Sequence, residues 1–252
     1  MIEGEKRKLL VVAHRGSSGS APENTMAAFR MAIDEGVDMI ELDVRMTRDF
    51  ELVVYHDADL RRTTNGSGFI WEKTLDELKH LDAGSWYSPK FADERIPTLR
   101  EVIDLLPANI NLNIEIKSDG DVRRGIAFED ACIRVIREKG FAHRVLVSSF
   151  DHKFLRRFHK LDPAIRIGAL YLPVRDAAKK PSTLERRLGA SAFICSRTQL
   201  RKRFIADAHQ HDIMVACYVV NTVRQLERMI RFGVDAVVTD FPRRIVRALN
   251  ER

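Results

Sequence analysis

Cysteine is scarce in this 252-residue chain: Cys132, Cys195 and Cys217 lie far apart, each among apolar neighbours. An odd, dispersed set excludes a disulfide framework or a C-x-x-C motif and reads as free core thiols in a reducing compartment. No apolar run approaches 18 residues, so no transmembrane helix is expected. The polar start, residues 1–8, leads into an apolar run too short for the core of a signal peptide. These absences predict a cytoplasmic protein with no integral membrane segment. A glycine-rich phosphate loop is also lacking. Gly16-Ser17-Ser18-Gly19 fits G-x-G-x-x-G poorly, which counts against a doubly wound dinucleotide fold. No repeat, low-complexity segment or linker divides the chain.

What is present suits an ordinary globular protein, 45% hydrophobic and 31% charged, with a net charge of +6. A chain of this size buries roughly 70–75% of its unfolded surface and needs no staples. Charge is unevenly spread. Residues 1–120 hold 15 Lys and Arg against 22 Asp and Glu; residues 121–252 hold 27 against 14. The basic half could attract an anionic substrate, nucleic acid or a membrane surface. Its cation pairs, such as Arg156-Arg157 and Arg243-Arg244, recur about once per predicted helix, and no nucleic-acid motif accompanies them. They read as solvated helix faces, with no nucleic-acid partner.

Short apolar, β-branched runs alternate with helical patterns throughout. Strands are predicted at 9–13, 39–44, 111–116, 145–148, 167–171, 192–195, 214–219 and 236–239. Helices are predicted at 24–35 (with Asn24 as N-cap), 98–106, 123–139, 151–160, 182–188, 199–210, 222–232 and 241–249. Eight strands and eight helices in strict alternation predict an α/β (β/α)8 TIM barrel, and the length is typical of one. The rhythm breaks between strand 2 and helix 2. There a hairpin-like return (47–55), a turn-rich stretch and a short helix near 74–81 intervene. Residues 57–97 are read as a small cap insertion in a single barrel domain spanning 1–252.

Five polar clusters trail the apolar runs: His14-Arg15-Gly16, Pro22-Glu23-Asn24-Thr25, Glu41-Leu42-Asp43, His56-Asp57 and Glu115-Ile116-Lys117. Charges gathered at buried strand ends lose several kcal/mol each, roughly, unless compensated. Residues i and i+2 of a strand share a side, so Glu41 and Asp43 project together, as do Glu115 and Lys117. Three carboxylates with no cysteine nearby suit a hard divalent cation, Mg2+ or Ca2+. A barrel rim where the same acids merely pair with Arg and Lys is the plainer alternative. His14 and His56, flanking the acids, suit an acid/base pair. Arg15 offers a fork and Lys117 a point charge for a phosphoryl group. Gly16 permits close backbone approach or positive φ. The other six histidines read as surface or second-layer residues.

At these residues the chain resembles the glycerophosphodiester phosphodiesterase family. The likeness continues through Arg62-Thr63-Thr64-Asn65-Gly66, Leu81-Asp82-Ala83-Gly84-Ser85-Trp86, Arg95-Ile96-Pro97-Thr98-Leu99, Ser149-Phe150, Tyr218-Val219-Val220-Asn221, Gly233-Val234-Asp235 and Thr239-Asp240. The resemblance implies a barrel with an inserted cap that hydrolyses glycerophosphodiesters, small-molecule substrates, to glycerol 3-phosphate and an alcohol. It implies a divalent metal on Glu41, Asp43 and Glu115, with His14 and His56 as acid/base pair. By analogy with related phosphodiesterases, the substrate's own hydroxyl attacks phosphorus, His14 being the base and His56 the acid. Glu23 and Asn24 are implied supports or substrate contacts, and Tyr218 a pocket residue. One departure is Val219, where the family often has Thr; strand alternation predicts that it faces the helices.

Two rivals remain at this stage. A lysophospholipase D or phospholipase C-like enzyme on the same barrel needs a hydrophobic ramp, which Phe69, Ile70, Trp71, Trp86, Tyr87 and Phe91 could supply. A non-catalytic scaffold would be expected to lose a histidine or a metal carboxylate, and none is lost.

Overall fold

The computed structural model describes residues 8–118, 122–177 and 179–252. Its strands and helices, in chain order, are β1 (Leu10–His14), α1 (Met26–Asp34), β2 (Met39–Met46), β3 (Leu52–Val54), α2 (Leu75–Lys79), α3 (Leu99–Leu105), β4 (Asn111–Ile116) and α4 (Val122–Glu138). There follow β5 (Val145–Ser149), α5 (His152–Leu161), β6 (Arg166–Leu170), α6 (Pro173–Asp176), α7 (Pro181–Leu188), β7 (Ala192–Ser196), α8 (Lys202–Gln210), β8 (Met214–Tyr218), α9 (Val223–Phe232), β9 (Ala236–Thr239) and α10 (Pro242–Asn250).

Eight strands pair in parallel in the order β1-β9-β8-β7-β6-β5-β4-β2, and β1 pairs with β2 to close the barrel. Closure removes both sheet edges and buries the strands on both faces, which is why they read as unbroken apolar runs. The main core lies between strands and helices, with Phe29, Leu42, Phe154 and Phe158 fully buried. A smaller layer, including Leu146, Leu170, Ile194 and Val238, plugs the barrel interior.

The ninth strand, β3, is the predicted hairpin return. It runs antiparallel to the part of β2 that overshoots the barrel, Val44 to Met46. The cap beyond it has its own core of Tyr55, Leu60, Ile70, Leu78 and Ile96. Ile70 is buried there and so belongs to no exposed ramp. The cap is fastened to the barrel where the Val54 N–H donates to Pro97 O (2.8 Å) and the Ala27 N–H to Glu94 Oε2 (3.1 Å).

Local readings need three corrections. The N-cap of α1 is Thr25, whose hydroxyl accepts from the Ala28 N–H. Asn24 has φ 59° and cannot open a helix there. The four-residue α6 lies in the β6–α7 connection, outside the eight predicted helices. The segment expected to start a helix at 199 begins instead with a turn, and α8 starts at Lys202.

Candidate active site

The polar clusters meet at the C-terminal end of the barrel because neighbouring parallel strands bring them into register. His14 of β1 lies beside Glu41 of β2, and Asp43 of β2 beside Glu115 of β4. Carboxylate oxygens of Glu41, Asp43 and Glu115 lie within 4.8 Å of one another. Glu41 and Asp43 are buried, and one oxygen of each is held in place. The Arg15 N–H donates to Glu41 Oε2 (3.0 Å), the Asn24 amide to Asp43 Oδ2 (2.8 Å), and the Arg15 Nε stands 3.1 Å from the same oxygen.

The Lys117 ammonium rests on Glu115 and lies 3.0 Å from Asp43 Oδ1. It offers one positive charge to a nest of three acids. Glu41 Oε1 has no hydrogen-bond donor at all. Burial and the Asp43 charge push the Glu41 carboxyl up to about 8, and burial raises Glu115 too. Burial also opposes ionising Asp43, but Lys117 and Arg15 outweigh it and hold its carboxyl well below the usual range. A buried, all-oxygen cluster short of positive charge fits a hard divalent cation.

Each histidine has its own carboxylate. His14 Nδ1 is 2.6 Å from Asp240 Oδ1, and Asp240 also accepts from the Asn221 amide (2.7 Å) and the Ser18 hydroxyl (3.3 Å). His56 Nδ1 is 2.5 Å from Asp57 Oδ1, but Asp57 is shared with the Arg62 guanidinium. The environments therefore diverge. For His14, burial resists charging, yet the Asp240 bond and the Glu41 field win and raise its pKa. For His56, burial prevails and lowers it. With Nδ1 engaged in both rings, Nε2 is the atom left for proton transfer.

His14, His56, Arg15, Glu41, Glu115 and Lys117 share a cavity of about 260 Å3, and Asn113 joins them. Phe150, Leu170, Ile194, Tyr218, Val219 and Val238 form its apolar side. Tyr218 thus lines the cavity as expected, whereas Val219 faces it rather than the helices. The strand ends at Tyr218, so alternation has no hold on the next residue. Asn24, expected as a support or a substrate contact, holds Asp43 at both ends of its amide: Oδ1 accepts from the Asp43 N–H (3.3 Å). Glu23 bridges Arg15 (2.8 Å) and Arg62 (2.7 Å).

Backbone strain concentrates here. Arg15, Gly16 and Asn24 all have positive φ, at 56°, 80° and 59°. A Cβ on Gly16 would meet the Ala28 carbonyl carbon at 2.7 Å. Gly16→Ala should destabilise the protein by about 1–3 kcal/mol and displace Arg15, lowering activity. Denaturation and initial rates on one preparation check this, and wild-type values for both would contradict it.

Residues 14–244 match the glycerophosphoryl diester phosphodiesterase family. The chain belongs to that family. A glycerophosphodiester phosphodiesterase of Caldanaerobacter subterraneus is 41% identical over 240 residues, 95% of this chain and 97% of that one. One from Bacillus altitudinis is 35% identical over 243 residues, covering 96% and 98%. Among solved structures, an Oleispira antarctica phosphodiesterase in complex with the product sn-glycerol-3-phosphate superposes with TM-score 0.86 at 31% identity, covering 96% of each chain. The Agrobacterium tumefaciens glycerophosphodiester phosphodiesterase gives 0.83 at 28%, covering 95% and 100%. As a member of the glycerophosphodiester phosphodiesterase family, the protein is a phosphoric diester hydrolase.

Sequence reasoning assigned no role to four groups of this glycerophosphodiester phosphodiesterase site. Asp240 and Asn221 lie in stretches that carry the family likeness, but no short-range pattern ties them to His14, 226 and 207 positions away. Arg62 meets Asp57 across a local turn, and reaches Glu23, 39 positions away, only because the cap folds back. Asn113 was legible, since Asn113, Glu115 and Lys117 alternate along β4 and its extension toward one side.

Proposed function

We propose that residues 1–252 act as one cytoplasmic, metal-dependent glycerophosphodiester phosphodiesterase that releases glycerol 3-phosphate and an alcohol by histidine acid/base catalysis, with 57–97 as its cap. The observation that carries this reading is the carboxylate nest flanked by two Asp-backed imidazoles in one cavity. The product complex of the Oleispira relative supports the substrate class. The three cysteines are free and buried, and no helix among the described residues is long and apolar enough to cross a membrane.

Glu41, Asp43 and Glu115 would hold Mg2+ or Ca2+, which when bound supplies Lewis-acid polarisation of a phosphoryl oxygen. The chain's own groups do the rest. Arg15 keeps Nε on Asp43 and Nη1 on Glu23, leaving Nη2 to meet the phosphoryl group. Lys117 adds a second positive charge where negative charge grows in the transition state. His14 Nε2 takes the proton of the glycerol hydroxyl as its oxygen attacks phosphorus. His56 Nε2 gives a proton to the departing alkoxide. Water then opens the cyclic phosphate with the two roles exchanged, returning both rings to their starting states.

An activated leaving group tests that division. A nitrophenolate departs without an acid, so His56→Ala should lose far less on glycerophospho-p-nitrophenol than on glycerophosphocholine, while His14→Ala loses heavily on both. The reverse pattern would exchange the roles. The apolar half of the cavity, with Trp86 and Tyr87 exposed on the cap, favours one further reading, a lysophospholipase D-type or phospholipase C-like enzyme. Faster turnover of lysophosphatidylcholine than of glycerophosphocholine would select it.

A further inference from the structure

Eight of the nine large apolar side chains exposed among the described residues lie toward the mouth end of the barrel, on loops, the cap or the first two turns of helices. Only Leu161, at the end of α5, lies at the other end. Single exposed apolar residues are ordinary, but confinement to one end calls for a cause.

Val174 is the extreme case, 94% exposed at the start of α6. The turn that presents it is held firmly. Asp176, wholly buried, accepts from the Leu172 N–H (3.0 Å) and from Lys179 Nζ (3.1 Å). Arg175 pairs with Asp176 and donates to the Phe150 and Leu170 carbonyls. Phe150 and Leu170 line the catalytic cavity, so this knob stands at its rim. A buried carboxylate and its cations thus fix a turn that shows Leu172 and Val174 to the outside.

The surroundings are cationic. Residues 172–180 and 197–203, on connections after adjacent strands β6 and β7, hold seven Lys and Arg against the single carboxylate Asp176, with Asp207 of α8 3.9 Å from the Lys180 ammonium. Arg201 donates to the Thr198 and Leu200 carbonyls rather than to an acid.

We propose that this rim, Leu172 and Val174 with Lys180, Arg197 and Arg201, docks the enzyme on an anionic bilayer surface. The apolar knob enters the headgroup boundary and the cations meet lipid phosphates, which turns the cavity mouth toward the membrane. A dissolved polyanion such as RNA would use the cations and leave the valine idle, so the bilayer is the better fit. The docking does not depend on which phosphodiester the site hydrolyses.

Sedimentation of the full chain with vesicles tests it. Binding is expected to equimolar phosphatidylglycerol–phosphatidylcholine vesicles and not to phosphatidylcholine alone, weakening in high salt. Arg197→Glu and Arg201→Glu should each weaken it about fivefold or more. Val174→Asp should weaken it about tenfold with unchanged melting temperature and unchanged hydrolysis of a soluble glycerophosphodiester. No binding to anionic vesicles would overturn the proposal. So would full binding by Val174→Asp, or RNA binding indifferent to that change in place of vesicle binding.

Discussion

His14→Ala and His56→Ala should each lower glycerophosphodiester turnover by about 10²–10⁴-fold while the barrel stays folded. His14 is the last ladder residue of β1 and His56 lies two residues past β3, and both rings face a cavity rather than the main core, so truncation opens no hole in the packing. What is lost is proton transfer. If both rings serve one reaction, as proposed, the double variant should fall little below the worse single one. Steady-state rates with a thermal melt of each variant check this. Near-wild-type rates in both single variants would remove the histidines from the mechanism.

Chelation should have an effect as large and a signature of its own. Glu41→Gln, Asp43→Asn or prolonged EDTA should cost roughly 10³-fold or more in turnover, recovered by Mg2+ or Ca2+ only where the carboxylates are intact. The metal-free protein should also respond to pH in an unusual direction. Its Glu41 carboxyl titrates near 8 instead of 4.5, so above pH 4.5 the unfolded chain binds fewer protons than the folded one. The stability held by neutral Glu41 is therefore full below about pH 4.5 and is lost as pH rises through about 8. A divalent cation replaces that proton and should flatten the dependence. Melting temperatures of chelated and loaded protein, from about pH 5 to 9, read this directly. A chelated protein that grows more stable with pH over that span would contradict the electrostatic account.

The ease of reading this site from sequence followed from where its residues sit. Glu41, Asp43, Glu115 and Lys117 obey strand alternation, and His14 ends an apolar run, so short-range pattern exposed them. The eight-fold alternation of strands and helices likewise announced the barrel. Contacts made by closure stayed hidden. Asp240 reaches His14 only because β9 pairs with β1, and no local pattern encodes that pairing. Val219 was misplaced because period-two reasoning ran one residue past the strand. Asn24 looked like a helix cap by residue type, whereas its positive φ turns the amide onto Asp43. The α6 knob escaped notice because four residues opened by Pro173 carry no helical period.

Three carboxylates, two cations and two imidazoles in one cavity are expected to split a glycerophosphodiester with the help of a divalent metal. A panel of glycerophosphodiesters assayed for released glycerol 3-phosphate, with EDTA and metal add-back, tests it most directly. Release that EDTA abolishes and Mg2+ or Ca2+ restores is expected. Release from no member, or release indifferent to EDTA, would contradict it.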